Sequence, residues 1–415
     1  MSKGSLVFAQ SGGPTAVINA SALGVIQEAS KNSTKIDNIY CCKYGISGLL
    51  KEELIDVSSL PKIELDLLYS TPASAFGSCR MKLPDYNVDE TPYQKIKQIF
   101  AKYNVKYFVY NGGNDSMDTC CKIDEYFRKI NFDCSVIGVP KTIDNDLLSC
   151  DHTPGYPSAI KYIATTFCEM AMDTTVYEKG KITLVEVMGR NTGWLTAGSA
   201  LSTYITGNGP DLIYLPERAF DFEKFINDVC TVYNNKGSCL VALSEGIQDE
   251  NGKYVSEYIK DKNQKKDEFS HINLEGAGRY LSNLLVSKTN LPLRNFELSL
   301  TQRSAAHLAS LTDVKEAYKA GCMAVKSILS NKSGYMVTLV RAKAEPYRIS
   351  FRLVLLSSVA NKARLVPQEY INAEGNFVTQ KFVDYALPLI KGESKVTYLD
   401  GLPRYSKISQ IIKTR

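Results

Sequence analysis

The chain has 415 residues, of which 49 are lysine or arginine and 44 are aspartate or glutamate, so its formal net charge is only +5. A length two to three times that of a typical domain predicts two globular lobes. The small positive excess is spread along the chain, which disfavours a nucleic-acid partner. No apolar run approaches the roughly 18 residues that span a bilayer, and no signal peptide follows Met1, so we expect a soluble cytoplasmic protein with no membrane partner.

Eleven cysteines are scattered along the chain. Their odd number and irregular spacing favour reduced thiols over a disulfide framework. Four of them form two adjacent pairs, no CxxC motif occurs and the three histidines are isolated in sequence. A zinc site is therefore not expected.

Short β-branched or aromatic runs alternate with longer amphipathic ones along most of the chain. The strand candidates are residues 6–10, 106–110, 134–139, 181–187, 211–215, 238–243 and 335–341, and the helix candidates include 15–31, 222–235, 273–289 and 313–329. This alternation predicts an α/β fold of two Rossmann-like three-layer lobes, with largely parallel sheets and ligands at the carboxyl ends of the strands. A polar stretch at 254–270, with charges of alternating sign, is predicted to be a solvated loop or hairpin.

Two glycine pairs, at 12–13 and 112–113, each follow a strand candidate and precede a helical pattern. Glycines there let backbone N–H groups approach a phosphate at a helix N-terminus, where the partial positive charge favours anions. Each pair alone could be a simple structural turn, and any residue of 114–116 could be a helix N-cap. Two such turns in one lobe favour a single polyanion held from two sides.

The most informative segment follows the strand candidate 134–139 and reads PKTIDND, residues 140–146. Phosphoryl transfer needs a cation on the transferring group, a base for the attacking hydroxyl and an acidic residue that helps to hold Mg²⁺. Lys141, Asp144 and Asp146 supply these groups within six residues. The alternative interpretation is a surface turn with solvated carboxylates.

Three arginines in the second half of the chain stand near predicted strand ends. Arg190 follows the strand candidate 181–187, whereas Arg294 and Arg303 flank a strand-like run at 296–300. Guanidinium groups suit bidentate capture of a phosphate ester. One such arginine is more often a surface residue, but three together favour a phosphate-ester site.

Together these segments resemble the 6-phosphofructokinase family along nearly the whole chain. The segments that carry the resemblance are SGGPTAVINA (11–20), GSCR (77–80), NGGNDS (111–116), PKTIDND (140–146), VEVMGR (185–190), LSEGIQD (243–249) and TQR (301–303). The resemblance implies phosphoryl transfer to the C1 hydroxyl of fructose 6-phosphate in a cleft between two lobes. It assigns residues 1–155 to a phosphoryl-donor lobe rejoined by part of 303–350, 156–302 to a fructose 6-phosphate lobe and 351–415 to a C-terminal extension.

Two positions in these motifs bear on the phosphoryl donor. ATP-dependent members resemble GGDGS and PGTIDND where this chain has GGNDS and PKTIDND. Asp115 would place a negative charge beside the α-phosphate of ATP, and two unit charges about 4 Å apart repel by roughly 1 to 4 kcal/mol. Lys141 adds a cation that suits a compact diphosphate. The chain therefore resembles the diphosphate-dependent branch, which yields fructose 1,6-bisphosphate and phosphate.

The resemblance also implies roles for individual residues. Asp144 matches the catalytic base and Arg80 the arginine that stabilises the transferring group, with Lys141 and Asp115 also counted as catalytic. The implied diphosphate-binding residues are Gly12, Gly13, Gly113 and Lys141, and the implied sugar-phosphate-binding residues are Thr142, Ile143, Asp144, Lys181, Met188, Gly189, Arg190, Glu245, Arg294 and Arg303. Lys181 stands where many members place an arginine that reaches a neighbouring subunit's site, which implies a homodimer or homotetramer.

Asn114 and Asp146 are the candidate ligands of Mg²⁺. Many relatives carry an aspartate at the first position, and an amide oxygen can meet a hard cation but brings no charge. Ala22 and Ile26 stand where allosteric bacterial members carry arginines for a nucleotide effector, so we expect weak or absent control by ADP.

Two alternative functions remain open from the sequence. One is a catalytically silent subunit of the same family that binds sugar phosphate, and the other is an ATP-dependent 6-phosphofructokinase. A nicotinamide-binding protein is disfavoured because the GxGxxG fingerprint with its following acidic residue is absent.

Overall fold

The computed structural model describes residues 3–259 and 276–413. Within them the strands are β1 (Gly4–Gln10), β2 (Ile36–Cys42), β3 (Leu54–Asp56), β4 (Val105–Gly112), β5 (Ser135–Pro140), β6 (Ile182–Val187), β7 (Leu212–Tyr214), β8 (Cys239–Ser244), β9 (Leu293–Glu297), β10 (Tyr335–Lys343), β11 (Arg348–Leu355), β12 (Tyr398–Leu399) and β13 (Leu402–Pro403). The helices are α1 (Ile18–Ser30), α2 (Gly45–Leu50), α3 (Lys62–Asp66), α4 (Thr91–Lys102), α5 (Asn114–Lys129), α6 (Tyr156–Thr174), α7 (Trp194–Ala197), α8 (Ala200–Thr206), α9 (Phe222–Lys236), α10 (Ala277–Thr289), α11 (Thr301–Ser304), α12 (Leu311–Ile328), α13 (Leu356–Val359), α14 (Gln380–Ala386) and α15 (Ile408–Ile411).

The larger sheet has the strand order β11-β10-β5-β4-β1-β2-β3. Its central strands β10, β5, β4, β1 and β2 run parallel, whereas β3 and β11 close the two edges in the antiparallel sense. The register places Gln10 beside Asn111 and Gly112 beside Pro140. The carboxyl ends of β1, β4 and β5 therefore meet at one edge, and the three motifs that follow them are neighbours.

The smaller sheet has the strand order β7-β8-β6-β9, and each of its pairings is parallel. The strand β6 ends at Val187, paired with Ser244 at the end of β8. The loops after these two strands carry the VEVMGR and LSEGIQD motifs. Together the two sheets confirm the prediction of an α/β fold with largely parallel strands.

Helices cover both faces of each sheet. In the larger sheet, apolar residues of α1 and α12 form a buried cluster with one face, and those of α2, α4 and α5 form a cluster with the other. In the smaller sheet, α6, α7 and α14 contribute to one cluster and α9 and α10 to another. This is the three-layer arrangement expected of strands that are apolar on both faces.

Helix α12 follows the last strand of the smaller sheet and packs along α1 of the larger one. The chain thereby returns to the larger sheet. Two glycines permit the close approach. A Cβ atom at Gly24 would lie 2.1 Å from the carbonyl oxygen of Tyr318, and one at Gly321 would lie 2.1 Å from that of Ser21. The strands β10 and β11 then extend the larger sheet, so that sheet continues past residue 350.

The predicted strands and helices lie where the structure has them, with shifts of a few residues at their ends. The strand-like run at 296–300 is misplaced, because β9 ends at Glu297 and the amide of Leu298 donates to the carbonyl of Glu186, where the chain leaves the sheet. Most of the predicted polar loop at 254–270 and the first residues of the helix candidate 273–289 lie outside the described residues. All eleven cysteines are free thiols, as predicted. Among the described residues, no helix combines the length and apolar character needed to cross a membrane.

Candidate functional site

A cleft of about 490 Å³ opens where the carboxyl ends of both sheets meet. Loops after β1, β4 and β5 supply one side, and loops after β6 and β8 supply the other. Its lining consists of Gly12, Gly13, Arg80, Gly113, Asn114, Asp115, Ser116, Lys141, Thr142, Asp144, Asp146, Met188, Arg190, Asn191, Glu245, Asn361, Lys362 and Ala363. Most of the residues singled out in the sequence are thus brought together in one place.

The loop after β1 brings its backbone against Lys141. Gly12 adopts a φ of +77°, which side chains other than glycine rarely tolerate. The carbonyl of Gly12 accepts from the Ser78 hydroxyl at 2.6 Å, and that of Gly13 accepts from Nζ of Lys141 at 2.6 Å. Two loops of the cleft are thereby joined through a single ammonium group.

Lys141 is only 3% exposed, which is rare for a lysine. Burial lowers the pKa of Lys141 to about 8, Asp144 opposes this shift, and the guanidinium groups of Arg80 and Arg303 add to it. Three cationic groups within one small volume describe a site for a multiply charged anion.

The loop after β4 ends in the N-terminus of α5. Gly113 is the N-cap of this helix, so the interpretation of 114–116 as N-capping residues is wrong. The side chains of Asn114 and Asp115 line the cleft instead. Asp115 pairs with Lys82, whose Nζ lies 2.8 Å from Oδ1 of the carboxylate.

The loop after β5 carries Asp144 into the cleft. The hydroxyl of Thr142 donates to Oδ2 of Asp144 at 3.2 Å, and the amide of Asp144 donates back to that hydroxyl at 3.1 Å. Burial raises the pKa of Asp144, against the opposing effects of Thr142 and of the nearby cations that include Arg190. The carboxylate therefore holds a proton more tightly than an exposed aspartate does, which suits a group that accepts one during a reaction.

Asn114 and Asp146 form the part of the cleft that fits a divalent metal ion. The amide of Asn114 donates to Oδ2 of Asp146 at 3.0 Å. Oδ1 of each side chain is buried and has no hydrogen-bond partner among the described residues. Burial and the nearby Asp144 raise the pKa of Asp146 to about 7. Two buried oxygens without partners, one of them from a carboxylate, are the kind of hard ligand that suits a divalent cation such as Mg²⁺.

The loop after β6 faces Asp144 from the smaller sheet. Gly189 has a φ of +139°, and a Cβ atom there would lie 2.5 Å from the carbonyl of Thr192. Its amide donates to Oε1 of Glu245 at 3.1 Å. The amide of Met188 donates to Oε1 of the buried Gln302 at 3.2 Å. The loop is thus held in a fixed shape beside the cleft.

Five predicted site residues are absent from the cleft lining, namely Ile143, Lys181, Gly189, Arg294 and Arg303. Ile143 is buried in the apolar core, and Lys181 is exposed just before β6. Arg294 lies within β9, where it donates to Thr183 and pairs with Asp173 at 2.8 Å. Gly189 is not part of the lining, but its amide donates a hydrogen bond to the cleft residue Glu245.

Arg303 lies beside the loop after β1. Its Nη1 would be 3.5 Å from a Cβ atom at Gly13, and Nη2 of Arg80 would be 3.9 Å from the same point. Burial and the neighbouring Arg80 lower the pKa of Arg303, which Asp144 opposes. The structure therefore groups Arg303 with Arg80 and Lys141 rather than with the loop after β6.

Several residues in or beside the cleft were missed in the sequence. Lys82, which pairs with the cleft residue Asp115, lies two residues after the GSCR motif, a spacing that could have drawn attention to it. Asn191 directly follows the VEVMGR motif. Residues 361–363 belong to a region without any recognisable motif, and only the folded chain brings them to the cleft.

The two sheets and the cleft between them define a two-lobed α/β protein. The positive charges of Lys141, Arg80 and Arg303 make the cleft suitable for phosphate-bearing ligands. A family model described as phosphofructokinase matches residues 5–328, and the chain belongs to this family.

Two relatives are similar over almost their whole length. The protein named pyrophosphate–fructose 6-phosphate 1-phosphotransferase from Xanthomonas campestris pv. campestris (strain B100) is 38% identical over 414 residues, which cover 99% of this chain and 97% of the relative. A protein of the same name from Halomonas elongata is 36% identical over 412 residues, with 99% and 97% covered. The crystal structure of a pyrophosphate-dependent phosphofructokinase from Marinobacter aquaeolei matches with a TM-score of 0.87 at 38% identity, covering 97% of this chain and 96% of that one.

Proposed function

We propose that this protein is an enzyme that transfers a phosphoryl group from diphosphate to the C1 hydroxyl of fructose 6-phosphate. The products are fructose 1,6-bisphosphate and phosphate. The observation that carries the proposal is the buried ammonium group of Lys141. It lies in the loop after β5, donates a hydrogen bond to the loop after β1, and is close enough to Asp144 for the two charges to interact. The names of the relatives that are similar over nearly the whole chain support the same substrates.

Asp144 is the base in this proposal. The C1 hydroxyl gives its proton to the carboxylate while its oxygen forms a bond to the transferring phosphorus. The bond between that phosphorus and the bridging oxygen breaks, and its electron pair leaves with the phosphate. Thr142 fixes the position of the carboxylate through its hydroxyl, and the raised pKa of Asp144 favours acceptance of the proton.

Arg80, Lys141 and Arg303 stabilise the charge on the transferring group. Their mutual electrostatic influence shows that the three cations share one small volume. Phosphoryl transfer depends mainly on positioning and on stabilisation of charge, so such preorganised cations lower the barrier without having to move. The same arrangement serves the reverse reaction, because diphosphate and the sugar bisphosphate place equivalent charges there.

Enzymes of this family generally need a divalent metal ion, and we propose Mg²⁺ for this one. Oδ1 of Asn114 and Oδ1 of Asp146 would hold it, since both are buried without a partner among the described residues. When bound, the ion would neutralise negative charge on the phosphate groups.

Asp115 and Lys82 select the donor in this proposal. Their ion pair lies at the N-terminus of α5, next to the diphosphate side of the cleft. A nucleoside triphosphate would have to place its α-phosphate against this carboxylate, whereas diphosphate has no group beyond it.

Arg190 and Glu245 bind the sugar phosphate from the smaller sheet. Lys181 and Arg294 lie outside the cleft of their own chain, and we propose that they serve the site of a second copy in a homodimer or homotetramer. Such a role accounts for the exposed position of Lys181, just before β6. The neighbouring strand β9 carries Arg294, which is paired with Asp173 in its own chain.

We also propose that ADP does not regulate this enzyme. Ala22 and Ile26 are 0% and 3% exposed because α1 is covered by α12. Neither position carries a cation or is open to a nucleotide phosphate. We also propose that the enzyme works in the cytoplasm, where its two sugar phosphates are available.

The test is a coupled assay on the purified protein with fructose 6-phosphate and Mg²⁺, comparing diphosphate with ATP at equal concentrations. We expect turnover with diphosphate and at least about 100-fold less with ATP. Equal rates would contradict the donor assignment. No rate with either donor would favour a silent sugar-phosphate-binding subunit, which the intact set of Asp144, Arg80 and Lys141 disfavours.

A further inference from the structure

Residues 361–363, here called the donor rim, line the cleft although they are distant in sequence from every motif described above. The match to the family model ends at residue 328, so the donor rim belongs to a part of the chain that the family model does not describe. Its residues are Asn361, Lys362 and Ala363. Their place in the cleft therefore needs its own explanation.

One end of the donor rim is fixed to α5. The preceding helix α13 packs on α5, and Leu356 and Val359 are 1% and 0% exposed in the core that Met117 shares. Asn361 takes a left-handed conformation with a φ of +59°, and its Nδ2 donates to Oδ1 of Asp118 at 3.0 Å. Asp118 is in the first turns of α5, directly behind the residues that face the cleft.

The other end is fixed to the loop after β5. The amide of Arg364 donates to the carbonyl of Asp146 at 2.8 Å. Its guanidinium donates to the carbonyls of Cys150 and Asp151 at 2.6 Å each and lies 4.4 Å from the ring centroid of Trp194. The backbone at Lys362 therefore lies between two anchors, one at the start of α5 and one at the candidate metal ligand Asp146.

The neighbouring acidic groups do not neutralise Lys362. Asp115 pairs with Lys82 at 2.8 Å, Asp118 pairs with Lys122 at 2.7 Å, and Asp146 accepts from Asn114 at 3.0 Å. Within residues 3–259 and 276–413, the side chain of Lys362 forms neither an ion pair nor a hydrogen bond, and it is exposed in the cleft. Its positive charge is thus available to an anionic ligand.

We propose that Lys362 binds the distal phosphate of diphosphate, the one that leaves as phosphate. This inference rests on the proposed function. In the proposed function Asp144, Arg80 and Lys141 surround the transferring group, whereas Lys362 lines the same cleft from a segment anchored to α5 and to Asp146. A lysine acts there as a point charge that grips a phosphate without requiring bidentate geometry. In the reverse reaction the same subsite takes the attacking phosphate.

The test compares wild type with Lys362→Gln, which removes the charge but keeps most of the length. We expect the KM for diphosphate and, in the reverse direction, the KM for phosphate each to rise about 10-fold. The KM values for both sugar phosphates stay within twofold, and kcat changes little. Lys362→Arg restores the charge and brings both donor-side KM values within about threefold of wild type. Lys395→Gln, which removes an exposed lysine outside the cleft, is the matched control and leaves all constants unchanged.

Calorimetric titration with diphosphate and Mg²⁺, without sugar phosphate, provides a measurement that does not depend on turnover. We expect Kd for diphosphate to rise about 10-fold in Lys362→Gln. A Kd and donor-side KM values within twofold of wild type would overturn the inference while leaving the proposed function intact. A fall in kcat alone, or an equal rise in all four KM values, would also overturn it and indicate a structural role. If wild type binds diphosphate but does not turn it over, the proposed function fails while the titration still decides the role of Lys362.

Discussion

Lys82 and Asp115 form an ion pair, with Nζ and Oδ1 2.8 Å apart, at the N-terminus of α5. The sequence alone presents Asp115 as an unbalanced negative charge, but the structure gives it a cationic partner. Both side chains are partly exposed, so the pair adds little to stability. Its proposed consequence is positional, because the pair holds the Asp115 carboxylate in the cleft, where we expect a donor longer than diphosphate to extend.

Replacing Asp115 by glycine, alone and together with Lys141→Gly, should relax the discrimination against ATP. The substitution removes both the charge and the side chain, and it frees Lys82 to meet a phosphate. We expect kcat/KM for ATP to rise at least about 10-fold in the double variant while kcat/KM for diphosphate falls, as measured in the coupled assay with each donor.

Lys82→Met is the matched control for that experiment. It leaves Asp115 without its partner, so the local potential becomes more negative and the KM for diphosphate should rise several-fold without any gain with ATP. If the double variant still shows negligible activity with ATP, then Asp115 and Lys141 are not the barrier and the obstacle lies elsewhere in the cleft.

Asp144→Asn should lower kcat by about 100-fold or more, because an amide cannot accept the proton of the attacking hydroxyl. The amide can still accept from Thr142, so the loop keeps its shape and the KM values should change by less than about threefold. Steady-state kinetics in both directions measure this, with Asp133→Asn at an exposed surface carboxylate as the control. A kcat close to that of wild type would remove Asp144 from its role as base.

The sequence was a good guide to the larger sheet because its buried parallel strands are short, apolar and followed directly by glycine or PKTIDND motifs. It was a poor guide to β2 and β11. The former contains Asp37 and Asn38, and the latter is an edge strand with arginines at exposed positions, so neither shows the apolar pattern of a central strand.

The candidate site could be predicted where ligand chemistry dictates local sequence, as in residues 140–146. The C-terminal region was different. Arg364 and Tyr385 support the PKTIDND loop, since Tyr385 accepts from Nδ2 of Asn145 at 2.9 Å and from Arg364 at 3.0 Å. The contact between Asn145 and Tyr385 joins residues 240 positions apart, and a single sequence contains no local signal for it.

Asp146→Asn should raise the concentration of free Mg²⁺ needed for half-maximal rate by about 10-fold, because it removes the only formal charge from the two candidate ligands. The asparagine can still accept from Asn114, which keeps the local geometry. Rates measured against free Mg²⁺ at a fixed concentration of the diphosphate complex would show the shift. Binding of Mn²⁺ followed by electron paramagnetic resonance supplies a second readout, and an unchanged affinity in both measurements would exclude Asp146 as a ligand.

His152 should make the stability of the protein depend on pH above neutrality. It is fully buried between Asp151 at 2.9 Å and Glu316 at 2.7 Å. Burial opposes its charge, but these two carboxylates more than offset that effect and raise its pKa to about 9. Because this value lies above the pKa of about 6.5 in an unfolded chain, the stabilisation is complete below pH 6.5 and is lost as pH rises through 9.

Between pH 7 and 8.5, wild type should therefore lose about 2 kcal/mol more of its free energy of unfolding than His152→Gln does. Urea unfolding followed by the fluorescence of Trp194, the single tryptophan, measures this. His307→Gln, at an exposed histidine, should behave as wild type, and parallel pH profiles for wild type and His152→Gln would show that His152 is not charged in the folded protein.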